Sequence, residues 1–153
     1  MNELDAIESW AGHLLAKLEA PARRAVLRDI ARELRRSQQA RIAQQTNPDG
    51  TAYEARKPRA KRHLREKVNR IRRKAMFAKL RQARYLRAES DTMGLAIGFA
   101  WRIARVARVH QFGERARVAP GGPEYQYPAR VLLGFTYEDR EMIQSMLLTR
   151  IVK

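Results

Sequence analysis

Apolar residues at spacings of three and four open the chain. Leu4, Ile7, Ala11, Leu14, Leu15 and Leu18 form one stripe, which predicts an amphipathic helix. Asn2 can cap its start, and Glu3, Asp5 and Glu8 sit near the positive end of its dipole. Ala20-Pro21 ends it and opens a second helix over about 22–45, where Leu27, Ile30, Leu34 and Ile42 make a thinner stripe among arginines. A linker this short predicts that the two pack as a hairpin or cross at a sharp angle. Asn47-Pro48-Asp49-Gly50 then predicts a tight turn, because proline presets one dihedral and glycine takes the left-handed position.

Beyond an irregular stretch broken by Pro58, residues 61–83 are rich in helix formers, with a possible break at 72–75. Alternation resumes afterwards. Residues 84–89 and 94–100 flank the turn-rich Ser90-Asp91-Thr92-Met93, which predicts a hairpin with Leu95, Ile97 and Phe99 on one face. A short helix is expected over 102–111, ended at Phe112-Gly113 with Phe112 as its anchor, then a loop over 114–123. A third strand is expected over 125–133. Thr136 caps a final helix whose stripe is Ile143, Met146, Leu147 and Ile151. The sum is an α+β fold: two N-terminal helices, a basic helical middle, a small antiparallel sheet of about three strands and a C-terminal helix. We read residues 1–153 as one domain, divided into a helical hairpin (1–46), a turn and basic helical segment (47–83), and sheet plus helices (84–153).

Charge changes the picture. The chain carries +16, and residues 56–87 hold 15 Lys/Arg against the single acid Glu66. Residues 1–20 sum to −3 and 138–153 to zero. So concentrated a block faces water, an acidic partner or phosphate. Lys61, Arg62, Arg65, Lys67, Arg70, Arg72, Arg73 and Lys74 are its candidate contact residues. Aromatic residues are few, so any nucleic-acid contact would be salt-sensitive and blind to sequence.

Enzyme chemistry finds little to work with. His13, His63 and His110 form no metal-spaced pair, there is no cysteine, and no glycine loop cradles phosphate. Glu138, Asp139 and Glu141 suit a helix N-terminus better than an acid–base pair. Neither an enzyme nor a cofactor is expected. Met1–Asp5 is acidic and lacks the apolar run of a secretion signal, and residues 94–101, the longest apolar stretch, cannot span a bilayer. No membrane partner is expected.

Several short pieces, in order, resemble a known family. His110-Gln111-Phe112-Gly113 and the run Tyr127 to Thr136, which includes Arg130, Leu132, Leu133 and Gly134, resemble the signature of the tail-completion, or virion morphogenesis, family of contractile-tailed phages. Pro48-Asp49-Gly50 with Tyr53 resembles its early turn, although that family often has tryptophan where Tyr53 stands. Residues 75–80, 84–86 and Gly98-Phe99 resemble its middle. The resemblance implies a structural role late in tail assembly: a subunit of a ring, commonly of six, that completes or caps the tail and helps join it to the head. It implies as partners other copies of the chain, tail tube or sheath proteins, and neck or head-completion proteins, with packaged DNA as a further contact of the basic segment. It places the protein in the virion at the head–tail junction, and in host cytoplasm during assembly. Under it, Gly113 permits a backbone turn and Arg130 pairs with an acid across a subunit interface. The alternative from another class is a stand-alone nucleic-acid-binding protein, to be told apart by strong salt-dependent DNA binding of a monomer that forms no ring.

Overall fold

The computed structural model describes residues 3–57 and 75–152. In chain order its elements are α1 (Glu3–Leu15), α2 (Ala20–Ala43), β1 (Leu86–Ser90), β2 (Leu95–Phe99), α3 (Arg102–Phe112), β3 (Arg115–Arg117), β4 (Glu124–Gln126) and α4 (Tyr137–Ile151). The fold is α+β, as the periodicities predict. The chain divides into two compact units: one is built from 1–37, 87–98 and 135–153, the other from 38–86 and 99–134.

In the first unit, Pro21 lies in the opening turn of α2, where its missing N–H costs no hydrogen bond. Arg23 Nη2 donates to Leu18 O (3.0 Å), tying the linker down. The core gathers Val26, Ile30 and Leu34 from α2 with Ile143 and Leu147 from α4; Trp10, Leu14, Leu15 and Leu18 pack on it from the N-terminal side. Burying each large side chain stabilises the unit by roughly 1.5–3 kcal/mol. α1 packs directly against α4, so the expected pair of N-terminal helices is completed by a third. Leu95 and Ile97 of the β1–β2 hairpin cover the same core. The hairpin turn closes through Asp91, whose Oδ1 accepts from Met93 N (2.6 Å) and Gly94 N (3.0 Å). Thr136 Oγ1 accepts from Asp139 N (3.1 Å), while Asp139 Oδ2 accepts from Thr136 N (3.0 Å): a reciprocal capping box starts α4.

In the second unit Ile42, Tyr53, Leu80, Ala107 and Leu132 are buried together, with Met76, Phe77, Phe99 and Ile103 against them. Gln45, at φ 61°, ends the helical run of α2. Residues 76–83, expected to be helical, instead form turns and a bend. Phe77 adopts φ 65°, which a helix does not accommodate. Glutamines from the α2 end hold this stretch: Gln45 bonds both Met76 N (2.7 Å) and Met76 O (3.0 Å), and Gln39 Nε2 donates to Arg81 O (2.6 Å).

The sheet also departs from expectation. In place of one three-stranded sheet there are two two-stranded ones, β1–β2 and β3–β4. β3 lies inside the expected loop 114–123 and pairs antiparallel with β4 in the register Arg115↔Gln126, Ala116↔Tyr125, Arg117↔Glu124. The expected strand over 125–133 keeps only its beginning. Tyr127 N and Arg130 N still bond backbone carbonyls, of Glu114 and His110; from Val131 onward the backbone groups turn to side chains of α2, α3 and the 47–53 turn.

Candidate functional site

Three separate pieces of sequence meet on the segment 129–134. Asn47 starts the arrangement. Its N–H donates to Thr51 O (2.7 Å), Gly50 N donates back to Asn47 O (2.9 Å), and Gly50 sits at φ 84°. Asp49 Oδ1 accepts from both Thr51 N (2.9 Å) and Thr51 Oγ1 (2.6 Å), bonds that hold its carboxyl below the ordinary range. The turn so fixed aims Asn47 Oδ1 at Val131 N (2.9 Å). It also presses Pro48 on Gly134, where a Cβ would stand 2.5 Å from Pro48 Cγ.

α3 supplies the second piece. Gln111 Oε1 accepts from Leu132 N (2.8 Å) and Leu133 N (2.9 Å), and its Nε2 donates to Leu133 O (2.9 Å). His110 O accepts from Arg130 N (2.7 Å). Gly113 ends α3 in the left-handed conformation at φ 64°, with Ala129 N only 2.9 Å from where a Cβ would be. Gln126 Nε2 donates to Gly113 O.

α2 supplies the third. Arg41 is buried, and its Nη1 donates to Thr46 O (3.1 Å) and Val131 O (2.9 Å). Its Nη2 donates to Leu132 O (2.7 Å) and Gln38 Oε1 (2.6 Å), and the same Gln38 oxygen accepts from Gly134 N (3.2 Å). Leu132, wholly buried, plugs the middle. The result is a strand without a sheet, in which side chains take the place of a neighbouring backbone.

Arg130 turns inward as well. It is 5% exposed, and its Nε and Nη2 donate to Glu54 O (2.7 Å) and Ala55 O (3.2 Å). Its Nη1 lies 3.3 Å from His110 Nδ1, which accepts when the ring is neutral. Burial, then the charges of Arg130 and Arg56, push the His110 pKa down to about 4, so the ring is neutral at pH 7. Around it runs a line of edge-to-face rings: Tyr53, Phe77, His110, Tyr127 and Tyr125, with centroids 4.8–5.8 Å apart along the line. Together with Arg56, Lys57 and Arg130, four of these rings, Phe77, His110, Tyr127 and Tyr125, border an open pocket of about 400 Å³.

The model of the phage virion morphogenesis family matches residues 2–152. The chain belongs to the phage virion morphogenesis family. Over 152 residues it is 38% identical to tail completion protein S of Escherichia phage P2, covering 99% of each chain. No solved structure matches.

In this member of the virion morphogenesis family, Pro48, Asp49, Gly50, His110, Gln111, Gly113, Arg130, Leu132, Leu133 and Gly134 all come together around one segment. Phe112 does not: the residue is 69% exposed, so it is no buried anchor for the end of α3. Arg130 bonds the carbonyls of Glu54 and Ala55 in its own chain. Lys61, Arg62, Arg65, Lys67, Arg70, Arg72, Arg73 and Lys74 lie outside the described residues. Sequence reasoning passed over Gln38 and Arg41, although they fall four and seven residues after Leu34 and hence on the apolar stripe of α2, a polar pair where aliphatic residues belong. Among the described residues no three His, Asp or Glu side chains are grouped to hold a metal, and no helix is long and apolar enough to cross a membrane.

Proposed function

We propose that this protein completes the tail of a phage, as a structural subunit of a ring at the head–tail interface. The observation that carries the reading is the match to a tail completion protein over 99% of both chains. The site fits it physically. A network that fixes one backbone segment from three directions moves no protons and breaks no bonds; it makes a rigid subunit whose surfaces can be held against neighbours. The neighbours in this reading are other copies, six to a ring, then tail tube or sheath proteins and the neck or head-completion proteins. The basic segment over 61–74 faces DNA in the channel or an acidic surface of an adjacent ring.

A nonsense mutation in this gene, with lysates viewed by electron microscopy, tests the reading. Full heads beside unjoined tails of abnormal end or length are expected. Intact, infectious particles that lack the protein would overturn it. In that event the basic block favours the second reading, a sequence-blind nucleic-acid-binding protein, whose affinity falls steeply as salt is raised.

A further inference from the structure

Two helices carry exposed faces whose composition suits an interface and whose charges are opposite. On α3 and its N-cap, Trp101 is 81% exposed and Phe112 69% exposed, with Val106 half-exposed between them. Arg102 and Arg105 lie on the same stretch, both exposed. Neither makes an ion pair among the described residues. Aromatic residues and arginine are the side chains that dominate binding energy when desolvated. Arg105 and Phe112 lie seven residues apart, on nearly the same side of α3, so an exposed aromatic and an exposed arginine share one face.

On α4, Tyr137 is 71% exposed, and Leu148 and Val152 are exposed with it. Tyr137, Glu141, Ser145, Leu148 and Val152 follow at intervals of four, four, three and four, which places them on one side of the helix. Glu138 and Glu141 flank Tyr137 on its exposed surface, and Glu141 makes no ion pair among the described residues. The first acidic turn of α4 therefore serves more than its own dipole.

The two faces match in register as well as in sign. Arg105 and Phe112 are seven residues apart on α3, and so are Glu141 and Leu148 on α4. Seven residues span about two helical turns, or roughly 10 Å, and return to nearly the same side of a helix. Laid side by side in the same direction, the helices bring Phe112 to Leu148 and Arg105 to Glu141, with Trp101 and Tyr137 at the N-terminal ends of the two faces. The occupant that the charge complementarity names is a second copy of this chain, since one chain carries both halves.

We propose that the α3 face of one copy docks on the α4 face of the next. The contact is heterologous, so each copy keeps a free face of each kind. Repeated, such a contact closes into a ring when the rotation per copy allows it. This rests on the ring reading above and assigns its surfaces. Phe112, exposed within its own chain, finds its packing in the neighbour.

The chain has no cysteine, which makes the contact directly testable. The phage is grown with full-length chain bearing Arg105→Cys and Glu141→Cys together, or either alone, and purified particles are oxidised and run without reductant. The double variant should give a ladder of cross-linked species ending at the ring number, and each single variant should stay monomeric. Dimers from Arg105→Cys alone would mean that like faces meet, and would overturn the proposal. So would a double variant that stays monomeric in particles containing it. Normal infectious particles without the protein would overturn the tail role alone, which keeps the two failures apart. A charge exchange guards against misfolded variants: Arg105→Glu and Glu141→Arg should each cut plaque formation at least tenfold with the thermal melt unchanged. Both changes in one chain should restore it, and no restoration would count against the contact.

Discussion

Gln111 illustrates how much a single residue can settle here. One side chain satisfies two backbone N–H groups and one carbonyl of residues 132–133, next to the wholly buried Leu132. Replacing it with leucine keeps the bulk and orphans those groups. Each of the three groups would cost about 1–3 kcal/mol if fully buried; they are only part-buried, so with water reaching some of them Gln111→Leu should lose about 2–4 kcal/mol in urea unfolding. A loss under about 0.5 kcal/mol would mean that water replaces the bonds fully. His110, one residue earlier, adds a pH dependence. Its folded pKa of about 4 lies below the ordinary 6.5, so the unfolded chain takes the proton more readily. The corresponding stability is complete above about pH 6.5 and is lost as pH falls toward about 4. Wild type should therefore lose more melting temperature between those two values than His110→Gln, which has no proton to gain. Parallel curves for the two proteins would refute this.

The elements that periodicity predicts are those whose cores come from one repeating stripe. α1, α2, the β1–β2 hairpin and α4 were legible because Leu34, Ile143, Leu147 and their neighbours recur at helical spacing and Leu95, Ile97 and Phe99 alternate. β3 was not legible: Arg115-Ala116-Arg117 has no apolar alternation, and its pairing depends on the turn at residues 118–123, where Gly122 N donates to Ala119 O (2.9 Å). Residues 129–134 looked like a strand because they are extended and apolar. Nothing in their own sequence reveals that Gln38, Arg41, Asn47 and Gln111 substitute for the partner strand. The site residues were legible only through resemblance, whereas Arg41 was hidden among the many other arginines of α2. Caps were legible, and each has a measurable weight. Thr136→Ala removes the α4 capping box and should cost about 1 kcal/mol in chemical denaturation. Gly113→Ala should cost more than about 1–2 kcal/mol, because the left-handed conformation disfavours a Cβ that here also meets the Ala129 backbone at 2.9 Å. Equal costs for the two would show that the chain near Ala129 yields easily.

For the whole molecule, salt acts in opposite directions on folding, where the +16 excess repels itself, and on the proposed contact, where opposite charges attract. Within one chain, the excess of like charge raises the energy of the compact state, and salt screens it: the Debye length falls from about 10 Å at 0.1 M to about 3 Å at 1 M. The melting temperature of the isolated protein should therefore rise with sodium chloride over that range. A gain of about 1 kcal/mol corresponds to roughly 2–4 °C in a chain of this size. Replacing Arg70, Arg72, Arg73 and Lys74 with glutamine removes four positive charges from the block, so the variant should melt higher than wild type at low salt and respond less to added salt. Between copies the sign reverses. The proposed contact sets Arg105 against Glu141 at a helix surface open to water, where screening weakens attraction. The Arg105→Cys, Glu141→Cys chain lacks this pair, so the clean probe is the oligomer formed by wild type, measured by sedimentation over the same salt range. Stability that rises while association falls is the expected pair of slopes. If both rise together, the contact between copies is held by its apolar residues, Trp101, Phe112, Tyr137 and Leu148, and the charges only set its direction. If stability falls with salt, the basic block is already neutralised within the folded chain, and the quadruple glutamine variant should then melt lower than wild type rather than higher.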